Sequence, residues 1–60
     1  MIYITRLNDK QVYINPDLIE IMEETPDTTI TLTTGRKFIA KESIEDIIER
    51  IVEFKRRFNP

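Results

Sequence analysis

The sequence predicts a small α+β domain, a curved five-stranded antiparallel meander with one C-terminal amphipathic helix packed on it. Two observations carry this. The first forty residues break into short apolar-alternating runs, and no connection between them has the dozen residues a parallel crossover needs. From Ser43 onward the period changes from two to 3.6 and holds to the end of the chain. The strands are expected at about 2–7, 11–14, 18–24, 28–33 and 36–40, and the helix at about 43–58.

Each element has a local cause. Ile2-Tyr3-Ile4-Thr5-Arg6-Leu7 alternates, stops at Asn8-Asp9 and resumes as Gln11-Val12-Tyr13-Ile14. Asn and Asp both tolerate the positive φ of a tight turn, so this reads as a hairpin with a two-residue turn. Asn15-Pro16-Asp17 breaks the ladder. Leu18 to Met22 then reads as a strand apolar on both faces, or alternatively as a single helical turn started by Pro16. Pro26 suits the second position of the next turn, after which Ile30 and Leu32 point one way and Thr29, Thr31 and Thr33 the other. Gly35, the sole glycine, permits the last turn, and the strand beyond it sets Phe38 and Ala40 opposite Ile39.

Ser43 is the expected N-cap, with Asp46 three residues on and Glu42, Glu45 and Asp46 where the helix dipole favours anions. Lys55, Arg56 and Arg57 suit the other end for the same reason. Ile44, Ile48 and Ile51 are expected to bury against Ile4, Ile30, Leu32 and Phe38. The whole apolar set from Ile44 to Phe58 sweeps an arc of about 160°, where a helix lying on one sheet needs only about 100°. Its edges, Val52 on one side and Phe54 with Phe58 on the other, are therefore candidate protein contacts. Tyr13 is a further candidate, as an aromatic anchor on the hairpin; Tyr3 and Tyr13 also suit the plainer role of sheet aromatics with their hydroxyls at the rim.

Size adds a constraint. A chain of this mass removes ~3,600 Å² of apolar surface from water, worth roughly 90 kcal/mol against an ordering cost of similar size. Such a chain usually needs a disulfide, a metal or a partner subunit. The sequence holds no Cys and no His, which excludes the first and argues against a zinc-type site, so self-association is expected.

The same absences bear on function. Without Cys or His there is no ordinary nucleophile–base pair, and Glu20, Glu23 and Glu24 read as solvated charges or edge guards. Calcium-loop spacing is absent, and one glycine cannot build a phosphate-cradling loop. No catalytic residue, cofactor or metal is therefore expected. Nine basic and eleven acidic residues give a net charge of −2 with no basic half, so no nucleic-acid partner is expected either. Arg6 and Asp9 interrupt the first ten residues and no apolar run approaches a membrane span, so the expected location is cytoplasmic.

Four stretches together resemble the FlbD/SwrD family of small flagellar and swarming-motility proteins. They are the opening M-I-x-[IL]-T-R-L-N, the N-x-D-L-I-E segment at Asn15 to Glu20, the run E-x-T-P-D-T-x-I-T-L-T-x-G from Glu23 to Gly35, and K-E-S-x-E-x-[IV]-I-E-R-I from Lys41 to Ile51. The resemblance covers residues 1–60 as one domain, with Asp9 standing where the family pattern leads one to expect glycine after Asn8. It implies a non-enzymatic accessory of motility that acts by protein contact, supporting motor output at the cytoplasmic side of the stator, and it carries no catalytic residues. The chain is also similar to the carbon-storage-regulator proteins, short RNA-binding dimers with a like opening strand and a terminal helix. Their RNA contact uses an arginine just before the helix, where this chain has Lys41-Glu42 and an acidic helix start.

Overall fold

The computed structural model describes residues 1–58, the last of them by its backbone alone. Five strands, β1 (Ile2–Thr5), β2 (Gln11–Ile14), β3 (Ile19–Glu24), β4 (Thr28–Leu32) and β5 (Lys37–Ala40), precede one helix, α1 (Ile44–Phe58). All pairings are antiparallel, and the α+β class expected from the sequence holds. The strands divide between two sheets, β1-β2 and β3-β4-β5, joined where Arg6 bridges to Ala40.

The division has a physical origin at Pro16. Asn15 Oδ1 accepts from the Asp17 N–H (3.0 Å), and Pro16 to Leu18 make one 3₁₀ turn closed by Leu18 N–H to Asn15 C=O (3.0 Å). The helical-turn alternative thus describes Pro16–Leu18, and the strand begins at Ile19. The turn carries the chain away from β2, so β2 and β3 do not pair.

The first and last hairpins share one construction. In the first, Arg6 C=O accepts from Asp9 N–H (2.9 Å) and Arg6 N–H donates to Lys10 C=O (2.8 Å); in the last, Leu32 and Gly35 and then Leu32 and Arg36 do the same (2.9 and 2.8 Å). The loops therefore hold three residues, with the third left-handed: Asp9 at φ 67° and Gly35 at φ 92°. The first turn is one residue longer than the sequence suggested, and Arg6 and Leu7 fall outside β1. Position 9 is the one where glycine would be free of strain, which accounts for the family expectation there.

Ile2, Ile4, Ile14, Ile30, Leu32, Phe38, Ala40 and Ile47 form the core, with Thr28 the buried polar residue beside them. Ile4, Ile30, Leu32 and Phe38 are buried as expected, whereas the helix turns a different residue inward. Ile47 is fully buried, Ile44 and Ile51 are half-buried, and Ile48 is 47% exposed. The inward face is centred on Ile47, Ile51 and Phe54.

Polar contacts to β1 and β3 fix that rotation. Glu42, in the β5–α1 connection, accepts from the Thr5 N–H at both oxygens (2.8 and 3.0 Å) and from the Thr5 hydroxyl (2.8 Å). Arg50 donates to Glu42 Oε2 (2.5 Å) and to the Tyr3 carbonyl (2.9 Å), and the Lys41 N–H donates to the Thr5 carbonyl (2.8 Å). The edge of β1 that faces away from β2 is thus capped by side chains and by one stretch of backbone. Arg50 can reach it only if Ile47 points inward and Ile48 outward, since these lie 100° apart on the helix. At the helix start, the Ile44 N–H donates to Glu24 Oε1 (2.8 Å) and the Asp46 N–H to Ser43 Oγ (3.1 Å). Ser43 is the cap the sequence indicated, and Glu24, a solvated charge as expected, is a second one.

The Glu42 side chain is 8% exposed. Burial alone would raise its carboxyl, but the hydrogen bonds from Arg50 and from the Thr5 backbone and hydroxyl outweigh that and hold it at about 2, against 4.5 for a free carboxyl. Between these values the unfolded chain binds the proton more readily than the folded one. The contribution is therefore complete above pH 4.5 and lost as pH falls toward 2.

Two outcomes follow for stability. Ile47→Ala is expected to cost about 3 kcal/mol and Ile48→Ala less than about 1 kcal/mol in urea unfolding, reversing the order that a helix face centred on Ile48 would give. Between pH 4.5 and 2 the wild-type chain is expected to lose about 1–2 kcal/mol more stability than Glu42→Gln, a figure reduced for the partial solvation of Arg50; parallel pH profiles would show that the carboxylate is not held.

Candidate protein-contact surface

The outward face of the β1-β2 hairpin is aromatic because of its register. Tyr3 lies directly opposite Tyr13, and the rings tilt at 56° with centroids 6.2 Å apart, a favourable aromatic geometry. The Arg50 guanidinium sits 3.9 Å from the centre of the Tyr3 ring, fixed there by Glu42. It is a positioned cation–π contact rather than a mobile surface charge.

One helical turn on, Phe54 packs against the core and also faces this hairpin, so that Tyr3, Tyr13, Phe54, Arg50, Glu53 and Arg57 are among the residues lining an open groove of about 280 Å³. Tyr13 is 64% exposed. The groove has an aromatic and aliphatic floor, with the Arg50 and Arg57 guanidiniums and the Glu53 carboxylate among its lining.

Of the four residues proposed from sequence, Tyr13 and Phe54 converge here. Val52 is exposed but lies on the opposite flank of α1, about 160° from Phe54 around the helix axis. The Phe58 side chain lies outside the described residues. Arg50 was not singled out, although its four-residue spacing from Phe54 puts both on one face. Several other charges have local roles: Lys55 approaches Asp17 (3.7 Å), Lys41 pairs with Asp9, and Arg6 and Arg36 flank the Phe38 ring at 5.9 and 5.3 Å.

Among the described residues, no three His, Cys, Asp or Glu side chains group so as to hold a metal ion, and no helix is long and apolar enough to cross a membrane. No curated protein and no solved structure matches the sequence. A family does: the sequence matches FlbD, the flagellar and swarming motility proteins, over residues 1–59. With nearly its whole length matched, and with the strands and helix that the resembling motifs span all present, the chain belongs to the FlbD family of flagellar and swarming motility proteins.

Proposed function

We propose that this protein is a non-enzymatic accessory of flagellar motility that works by protein contact, with the Tyr3–Tyr13–Phe54 groove as its binding surface. Membership in a motility family supports the biological role, and the exposed Tyr13 beside an ordered guanidinium supports the mode. An exposed aromatic that makes only one tilted ring contact contributes little to a fold of this size, whereas such residues dominate binding energy at interfaces. The partner is a protein of the flagellar motor, by this reading a stator component met at its cytoplasmic face, and the accessory supports motor power. It acts as a homo-oligomer, since so small a core leaves little margin for a solitary chain.

The runner-up, an RNA-binding regulator of carbon-storage-regulator type, would place its contacts at Arg6 and Lys41. Both side chains have partners within the chain, the Phe38 ring and Asp9.

Deleting the gene is expected to weaken movement through viscous medium while filaments remain. Tyr13→Ala is expected to lower swarming several-fold with a melting temperature within about 3 °C of wild type, because the residue lies outside the core. Unchanged motility on deletion would overturn this reading. So would tight RNA binding that falls steeply with salt and is lost on Arg6→Ala or Lys41→Ala.

A further inference from the structure

The flank of α1 away from the groove carries a second periodic pattern. The inward seam is Ile44, Ile47, Ile51 and Phe54, spaced three, four and three residues. Shifted by one residue, the same spacing picks out Glu45, Ile48, Val52 and Lys55, all exposed, with Ile48 and Val52 each 47% open to solvent. Spacing of this kind is the a/d pattern of helices that pair along their length. This flank lies toward the Pro16–Leu18 turn that leads into β3, because Lys55 on it approaches Asp17 of that turn, while the helix start is held at Glu24 at the far end of β3. Exposed Leu18, in the turn that holds Asp17, extends the apolar strip sideways, whereas Ile21 opposes Thr31 on the far face of its sheet.

The order acid, apolar, apolar, base is self-complementary under a two-fold rotation. When two such helices run antiparallel about a point midway between Ile48 and Val52, Ile48 of one copy meets Val52 of the other and Glu45 meets Lys55. The rest of α1 agrees: Glu45, Asp46 and Glu49 crowd the first half, and Lys55, Arg56 and Arg57 the second. An antiparallel pair sets acidic halves on basic halves and opposes the two helix dipoles favourably. A parallel pair would stack like charges at both ends, so the pattern selects against it.

We infer that a second copy of this chain docks on the Glu45–Ile48–Val52–Lys55 seam, forming an antiparallel two-fold dimer that leaves both aromatic grooves open on the outer sides. The inference rests on the self-association proposed above and specifies its face and direction. One helix flank extended by Leu18 buries a total area near the lower end for specific interfaces, on the order of 1,000 Å², so a weak, reversible dimer is expected and the test spans micromolar concentrations. Lys55 gives up little on pairing, since its contact with Asp17 is long and solvent-exposed on both sides.

Sedimentation equilibrium of the full chain from about 1 to about 200 µM tests the dimer, with circular dichroism confirming that each variant folds. Wild type is expected to approach twice 7.2 kDa. Ile48→Asp is expected to weaken association at least ~30-fold, and Glu45→Lys or Lys55→Glu alone ~3- to 10-fold, while the two charge changes together restore it to within a factor of ~2. A wild-type monomer throughout would overturn both the seam and the self-association reading. Association that Ile48→Asp leaves unchanged would overturn the seam while the broader reading stands. Failure of the double charge exchange to restore binding would overturn the antiparallel register.

Discussion

Glu42 is the constraint on which the rest of this small structure depends. Its carboxylate takes the Thr5 backbone N–H and hydroxyl from one sheet and the Arg50 guanidinium from the helix, while its own main chain continues directly from the other sheet. Three pieces of structure are thereby tied at one point. Without it, β1 would present an open edge, the helix could rotate on its apolar arc, and the backbone links between the two sheets would be the Arg6–Ala40 bridge and the neighbouring Lys41–Thr5 hydrogen bond. An unpaired charge left in this position would be costly, so the pair acts as a geometric lock whether or not it adds much net stability.

The candidate binding surface inherits its order from that lock. Arg50 holds Glu42 and the Tyr3 carbonyl while its guanidinium plane covers the Tyr3 ring, so the clamp and the groove share one side chain. Phe54 reaches the groove only because the helix rotation that Arg50 requires brings it round. The same rotation sends Ile48 and Val52 outward on the other flank, which gives the molecule two separate apolar surfaces from one over-wide helical face. The acidic cluster has a place in this scheme. Glu20 and Glu23 lie exposed on β3, the edge strand of its sheet, where charge discourages unwanted strand addition, and Glu24 is drawn off to cap the helix.

What the sequence disclosed and what it concealed follow from the range of the forces involved. Turns and caps are local: Gly35 at positive φ, the Asn15–Pro16 break and the Ser43 cap could all be read from a few adjacent residues. Strand faces were legible too, because a period of two leaves no freedom once one residue points inward, as Phe38 and Ala40 against Ile39 illustrate. The helix phase was not legible. Seven apolar positions from Ile44 to Phe58, spread over about 160°, allow several rotations of similar apolar burial, and the choice among them is made by contacts 8, 37 and 47 residues apart in sequence. For the same reason Tyr13 and Phe54 could be recognised as candidate anchors, but their meeting in one groove with Arg50 could not, whereas the place of Val52 on the opposite edge of the arc from Phe54 was legible from the helical period alone.

The claim that Glu42 is ionised and clamped is open to one direct measurement, a carbon-detected NMR titration of its side-chain carboxyl in the folded protein. The account predicts a midpoint at about 2, well below the 4.5 of a free carboxyl, with the Thr5 amide shift following the same curve. A midpoint near 4.5, or a Thr5 amide indifferent to it, would contradict the clamp and with it the orientation of the helix.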